Sequence, residues 1–554
     1  MPISVATEST KPIIGNWQSA TPLLIVITVS LLVVVPMIVW GIPSNRDLAN
    51  HFRFALPFYD GIVRGHAYPG WLAESNGGYG DPSFRFYPPG LYYLLAASRF
   101  LIGNWYDATR VAFVALSIGG GLGMYFWARS FMPPATATWA STFYALAPYH
   151  VNQLYQAVML AEWAAGALLP FVFGFVDRVC ERGKPRDIAG LAATYGLLIF
   201  THLPLAVIGS MAFAIYAFAR IHGQGKIRKL AKLSFAGFLG LTLSAVYWVT
   251  MLSELRLIAG SDVDGDPIDY RDNFLLSTFS PENLNVWWMN ILALMTLMLF
   301  APALLLVLKK ARSAGWSTRP VIALLVLALF MSVPLSRPVW SLLKPMQETQ
   351  FPWRWLVLAS MAGSLLAAAA LPFLSSSEKR SNLKKLVIVG AMTISVAFTL
   401  SHVIREAQYF PVHKFEAMVT DVRGSSSINY WFPIWARRNV RKMTTEVEAA
   451  DREVKVTSWQ PEHRKFSVAA GPATEARIRT FYYPHWTATT EAGALPTRPD
   501  KDGALLISLP QNATSVELDF REPRKTKFST ISSLSGLIII GALVVPFRRR
   551  GRND

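Results

Sequence analysis

Repeated runs of about twenty apolar residues, each long enough to cross a hydrocarbon core, constrain this chain more than any other feature. They fall at 22–41, 108–128, 136–149, 158–177, 187–201, 203–220, 230–252, 287–308, 320–336, 352–374, 384–403 and 528–547, giving about twelve expected crossings. Hydrophobic residues make up 52% and charged residues 16% of the 554 positions, so the bilayer is the main solvent for this chain. The first run follows a short polar start and is not followed by a small-residue cleavage site, which reads as a signal anchor. A net charge of +18 would suggest nucleic acid in a soluble protein, but here the Lys and Arg gather between the apolar runs. That pattern encodes topology, and no nucleic-acid partner is expected. The lone cysteine, Cys180, excludes an internal disulfide.

Orientation follows from the basic connections at 178–186, 220–232, 309–319, 379–385 and 548–550, which the positive-inside rule assigns to the cytoplasm. The outer face then carries a long loop at 42–107 and the stretch 404–526. Residues 89–102 are apolar but short for a crossing, and counting them as one would reverse the parity. They are expected to form a helix in the outer leaflet. The chain divides into a membrane domain at 1–403, an outer domain at 404–526, and a last span with a basic tail at 527–554.

Beyond residue 404 the long apolar runs give way to alternation. Period-2 patterns at 452–458, 465–469, 476–482, 505–509 and 515–520, with Pro, Gly and Asn turn signals between them, predict a compact β-sandwich. Residues 437–449 are expected to form a short helix leading into it.

The outer loop is too rich in aromatics and glycine for a plain connector. It contains Asp47, His51, Tyr68-Pro69-Gly70-Trp71, Asn76-Gly77-Gly78-Tyr79-Gly80, Asp81 and Tyr87-Pro88-Pro89. If 45–64 is helical, Asp47 and His51 stand four apart on one face and can share a proton or a ligand. A carboxylate there can serve as a base for an acceptor hydroxyl or amine. It can equally cap the helix, leaving His51 as an interfacial residue.

These motifs, together with Tyr155 through Glu162 and Gln350-Phe351-Pro352-Trp353-Arg354, resemble the bacterial membrane proteins called 6-pyruvoyl-tetrahydropterin-synthase-related, within the wider GT-C glycosyltransferase-like superfamily. The segment Tyr482-Tyr483-Pro484-His485-Trp486 is similar to a strand entry in the outer domain of larger members of that superfamily. A soluble pterin synthase needs a zinc-binding histidine set in a compact cytosolic fold, and the pattern here offers none, so the family name carries no pterin chemistry over. The resemblance implies a GT-C architecture in the bacterial inner membrane, with a periplasmic C-terminal domain and a polyprenyl-phosphate-linked sugar as donor. Asp47 matches the catalytic Asp of the first outer loop. Where related transferases carry a charged residue near the Pro-Pro step, this chain has Phe86-Tyr87, and Asp81 is the nearest substitute.

Within this frame Arg354 is the expected ligand of the donor phosphate, since a guanidinium binds phosphate bidentately and Trp353 and Trp355 suit an interfacial belt. A snorkelling anchor is the alternative. Glu162 and His202 are further substrate-site candidates, because ionisable groups inside spans are costly, although either can be a satisfied packing residue. The Asp262-Val263-Asp264-Gly265-Asp266 run departs from a calcium loop, with Pro267 where Gly is required and no closing Glu. It reads as a solvated acidic loop. Some GT-C enzymes use a divalent cation and others none, so the cofactor stays open and no residue is assigned to a metal. The expected activity is sugar transfer to a lipid or cell-envelope acceptor, among membrane lipids, on the outer face. The alternative is a non-catalytic GT-C-like protein that binds envelope glycans or lipids and assists assembly. A transporter is disfavoured, because the ionisable candidates cluster at outer span ends and away from the bilayer midplane.

Overall fold

A computed structural model describes residues 17–259, 269–280, 282–303, 318–374, 382–424, 431–437 and 439–545. Asp262, Asp264 and Asp266 lie outside the described residues, as do 309–317, 379–381 and 548–550 of the basic connections.

The apolar runs become helices. In order these are α1 (Trp17–Trp40), α2 (Arg46–Val63), α3 (Gly90–Ile102), α4 (Trp105–Ala128), α5 (Pro134–Ala145), α6 (Pro148–Tyr155), α7 (Leu160–Glu181), α8 (Pro185–Thr201), α9 (Leu203–Arg220), α10 (Lys226–Leu243), α11 (Ala245–Glu254) and α12 (Leu284–Leu299). Later helices include Arg319–Ser332, Leu356–Leu374, Asn382–Phe398, Val412–Gly424 and Arg524–Val544. Among the described residues seven helices are long and apolar enough to cross a membrane, and up to nine if each of two bent pairs counts as one span. The chain is a multi-pass membrane protein.

The expected twelve crossings need correction at particular places. The run at 136–149 is divided, because Pro148 cannot continue α5 and instead opens α6. The run at 230–252 bends by 68° where α10 meets α11. A third run is broken by 90° after Ser332, where Pro334 follows. α8, with 17 residues, and α12, with 16, fall just short as described. α3 occupies the stretch expected as an outer-leaflet helix, and its 13 residues span about 20 Å, less than a hydrocarbon core.

The C-terminal domain is two antiparallel sheets. One has the order β3 (Val447–Ala449), β6 (Thr474–Phe481), β10 (Ala504–Leu509), β9 (Thr497–Pro499). The other has the order β4 (Val454–Trp459), β5 (His463–Val468), β11 (Thr514–Phe520), β7 (Trp486–Thr490), β8 (Gly493–Leu495). Inward positions such as Phe466, Ile478, Leu505, Ile507, Val516 and Leu518 are fully buried between the sheets. The expected strands are therefore present, each within a few residues. The helix expected over 437–449 is not: its described residues are turn and coil, and β3 takes their end to pair with β6.

The outer loop is part of this domain's core. Trp71 packs edge-on against Trp486 at 5.6 Å and beside Phe520 at 5.4 Å. Tyr79 lies 5.2 Å from Phe481, and its carbonyl accepts from the Phe481 N–H at 2.8 Å and from the Thr480 hydroxyl at 3.1 Å. Gly80 makes this insertion possible: its φ of +71° suits glycine, and a Cβ there would meet the Trp71 indole nitrogen at 2.2 Å. On the other side of the loop, Ile42–Pro43 (β1) pairs with Tyr409–Phe410 (β2), so the start of the outer loop is joined by backbone hydrogen bonds to the chain that leaves the membrane helices.

Arg85 ties these parts together. Its guanidinium holds Glu254 at the end of α11 through Nε and Nη2, both at 2.6 Å, and Glu522 ahead of the last helix at 2.8 and 2.9 Å. Tyr483 donates to Glu254 at 2.6 Å, and His485 approaches the same carboxylate at 3.1 Å. Arg85 and Glu254 are each 3% exposed, so neither charge has water as an alternative partner. Arg85→Ala strands Glu254 and is expected to lower the unfolding free energy of the protein in detergent by about 3–5 kcal/mol, read as a denaturation midpoint shift.

Candidate functional site

The site is built at one end of the helical domain from four separated stretches. Asn45, extended at φ −149°, caps α2 by accepting the Asp47 N–H at 2.8 Å. Its amide nitrogen donates to the carbonyls of Gln156 at 3.0 Å and Ala157 at 2.5 Å, which fastens the start of α2 to the connection between α6 and α7. Asn45 thus performs the capping that Asp47 would otherwise supply, and the Asp47 carboxylate is left for other partners.

Asp47 Oδ2 stands 3.6 Å from Nε2 of His51, one turn along α2. The Asp47 side chain is 43% exposed, whereas His51 is 5% exposed, its Nδ1 lying 3.4 Å from the Tyr92 hydroxyl. Tyr87 packs edge-on to the His51 ring at 6.1 Å and beside Phe54 and Tyr92. Burial raises the Asp47 carboxyl, but its interaction with His51, helped by Asn50 and by the charge of Arg354, outweighs burial and holds it below the ordinary range. Asp47 is therefore ionised at neutral pH.

Arg354 lies in the turn Pro352–Trp355 that opens the helix Leu356–Leu374. Its Nε donates to Glu162 Oε2 at 2.8 Å and its Nη1 to the Thr349 carbonyl at 2.5 Å, while the guanidinium sits over the Phe351 ring at 4.7 Å. Among the described residues Nη2 has no hydrogen-bond partner. Glu162, in the first turn of α7, also accepts from Tyr149 at 2.6 Å and Gln153 at 2.5 Å. Arg354 is thus not a snorkelling anchor, and Trp353 and Trp355 are not an interfacial belt. They are 2% and 0% exposed because the turn packs inside the bundle.

His202 caps α9, its Nδ1 accepting the Leu205 N–H at 3.3 Å. A neutral ring in that arrangement carries its proton on Nε2, which makes Nε2 a donor. Arg354 and His51 both act on His202 electrostatically, and Arg354 also acts on Asp47. Five residues singled out in the sequence, Asp47, His51, Glu162, His202 and Arg354, therefore share one electrostatic neighbourhood, with Tyr87 at its edge.

Asp81 is elsewhere. It is fully buried, accepts from the Ser83 N–H at 2.8 Å and from Asn76 at 3.1 Å, and bridges Leu72 in the loop that enters the C-terminal core. Its expected part in the substrate site is corrected to that of a loop brace. Sequence reasoning missed Asn45, Tyr92, Tyr149 and Gln153. The last two were detectable as polar side chains four apart at the edge of an apolar run, the spacing that puts both on one helix face. Among the described residues no three His, Cys, Asp or Glu side chains are grouped to hold a metal ion.

Residues 84–405, more than half of the chain, match the family described as 6-pyruvoyl-tetrahydropterin synthase related domain, membrane protein. The chain belongs to this family. The matched region holds Glu162, His202 and Arg354, while Asp47 and His51 precede it. No curated protein matches the chain. Solved structures similar to it include the apo oligosaccharyltransferase of Archaeoglobus fulgidus, at 11% identity and a TM-score of 0.48, over 73% of this chain and 58% of that one. The mycobacterial arabinofuranosyltransferase AftD is another, at 16% identity and a TM-score of 0.46, over 70% of this chain and 27% of that one. ArnT of Cupriavidus metallidurans, bound to undecaprenyl phosphate, is similar at 13% identity and a TM-score of 0.37, over 73% and 77% of the two chains. The chain thus spans little more than half of the archaeal enzyme's length.

The buried pair gives one prediction. Glu162→Gln and Arg354→Met each destabilise the protein, and the double variant loses less than the sum by about 1–3 kcal/mol, measured as a double-mutant cycle of unfolding in detergent. Asp81 gives another. Burial, opposed by hydrogen bonds from Ser83, Ser75 and Asn76, pushes its carboxyl up to about 6. Its folded pKa exceeds the unfolded value, so the stability it contributes is complete below about pH 4 and is lost as the pH rises through about 6. Melting temperatures across this window should show that slope in the parent protein and lose it in Asp81→Asn.

Proposed function

We propose that this protein transfers a sugar, with inversion, from a polyprenyl-phosphate donor to a lipid or cell-envelope acceptor at the outer face of the bacterial inner membrane. The observation that carries the reading is the grouping of Asp47 and His51 on α2 with His202 and Arg354, contributed by three separated stretches of chain, around an ionised and half-exposed carboxylate. In this reading Asp47 orients the acceptor hydroxyl and takes its proton as the new glycosidic bond forms, while the donor's bond to phosphate breaks. His51 holds the Asp47 carboxylate in place and moderates its charge. Arg354 Nη2 and the Nε2–H of His202 are donors for the departing phosphate, with Tyr87 lining the approach. Glu162 fixes the guanidinium so that Nη2 keeps its direction. The outer location rests on the basic connections assigned to the cytoplasm.

One observation favours the second reading, a non-catalytic GT-C-like protein that binds envelope glycans or lipids. Glu162 already neutralises Arg354, which lessens the attraction available for a phosphate. The two readings separate in membranes supplied with polyprenyl-phosphate-linked sugars. Asp47→Asn is expected to reduce transfer at least about 100-fold with expression unchanged. Full transfer by Asp47→Asn overturns the role of Asp47, and absence of transfer by the parent protein with every donor supports the non-catalytic reading.

A further inference from the structure

A cavity of about 410 Å³ lies away from the Asp47 site, between the far half of α2, the outer loop and the turn joining β4 to β5. Its volume is in the range of sites that hold small organic ligands. Pro57 and Gly61 of α2 and the ring of Phe84 form apolar wall, facing Pro461 in the turn. Pro57 is ten residues beyond Asp47 on the same helix, about 15 Å along its axis.

The polar lining has an arrangement that the transfer site does not use. His66 directs Nδ1 to Glu462 at 3.2 Å, and His463 directs Nδ1 to Asp519 at 2.6 Å. Each imidazole is held by a carboxylate at one nitrogen, which leaves Nε2 of each as a positioned hydrogen-bonding atom. Both residues are about half exposed, so those atoms are accessible. Glu462 is itself anchored, accepting the N–H groups of Gly70 at 2.5 Å and Trp71 at 3.2 Å. Glu74 stands on the cavity wall, where burial raises its carboxyl above the ordinary range and its own backbone N–H is its hydrogen-bond partner, so the rest of the carboxylate faces the cavity.

We infer that this cavity binds a saccharide, neutral or amino-bearing, through Glu74 and the free Nε2 atoms of His66 and His463. The charge balance selects against an anion, since Arg64 faces the two carboxylates Glu74 and Glu462 in the lining, and the further charge of Arg423 on Glu74 is matched by its ion-pair partner Asp60. A peptide is also a poorer match. Strand addition needs an open backbone edge, whereas the turn's backbone is closed on itself by the Gln460 N–H to His463 carbonyl bond at 2.9 Å. Clustered side-chain donors and acceptors against an apolar wall suit hydroxyls and the carbon face of a sugar ring. Binding here stands independently of the transfer reading. The role of the cavity as a docking site for a glycan acceptor rests on that reading.

The test uses the full chain in lipid nanodiscs, with glucosamine trisaccharide, maltotriose, inorganic phosphate and a Gly-Ser hexapeptide as probes in equilibrium binding. At least one trisaccharide should bind saturably and lose about tenfold or more affinity in both Glu74→Gln and His463→Gln. Asp47→Asn should bind it as the parent does, even where transfer is lost. Saturable binding by neither trisaccharide, unchanged affinity in both cavity variants, or preference for phosphate or peptide overturns the proposal. Loss of transfer in Asp47→Asn bears on the transfer reading alone.

Discussion

Arg85 holds two carboxylates that enter from opposite parts of the chain, Glu254 at the end of α11 and Glu522 just before the last helix. Burial removes water as a partner for Arg85 and Glu254, so each of these two charges requires the other, while Glu522, one-third exposed, closes the pair from the outside. Tyr483 and His485 of the C-terminal domain complete the Glu254 carboxylate, and Thr526 accepts a further Arg85 N–H at 3.1 Å. The outer loop, a bent span, the β-domain and the final helix consequently meet at one guanidinium. Trp71 and Tyr79 extend the same junction as apolar packing, filling the C-terminal core from outside its own sequence. The domain written by residues 439–520 is in this sense finished by residues 71–80.

α2 is fastened by contacts of its own. One end of the helix is fastened by Asn45 to the α6–α7 connection, and its partner helix Val412–Gly424 adds an Arg423 to Asp60 ion pair at 3.0 Å. Held at both ends, α2 carries Asp47 and His51 at its start, where the charge of Arg354 acts on Asp47, and sets Pro57 and Gly61 on the wall of the 410 Å³ cavity farther along. The second buried ion pair, Arg354 with Glu162, plays the orienting part inside the bundle.

Much of this was legible in the sequence, and for identifiable reasons. Long apolar runs, basic connections and period-2 strands are local signals, and α2, α3 and the main strands appear close to where those signals place them. Glu162 and His202 could be singled out because an ionisable group within a span is costly, Asp47 by its spacing from His51 and the family motif, and Arg354 by its fit to a phosphate at the outer end of a span. The errors arose where a local pattern admits more than one tertiary answer. Trp353 and Trp355 have the composition of an interfacial belt, yet their turn is buried. Asp81 has the chemistry of a site residue, yet the Ser83 N–H and the Asn76 side-chain amide within its own loop claim its carboxylate. Residues 437–449 contain helix-forming side chains, yet β6 offers β3 an edge to pair with.

The sequence by itself determined that the chain crosses a membrane many times, that a β-rich domain follows residue 404, and which few ionisable residues lie against apolar surroundings. These properties depend on hydrophobicity and period, which neighbours in sequence express without help. The tertiary structure decided which charges meet. It paired Arg354 with Glu162 across 192 positions and Arg85 with Glu522 across 437, and it placed Trp71 in a core built mainly from the other end of the chain. Partners at such separations are chosen by the requirement that every buried charge be satisfied at once, a condition imposed by the packed molecule as a whole.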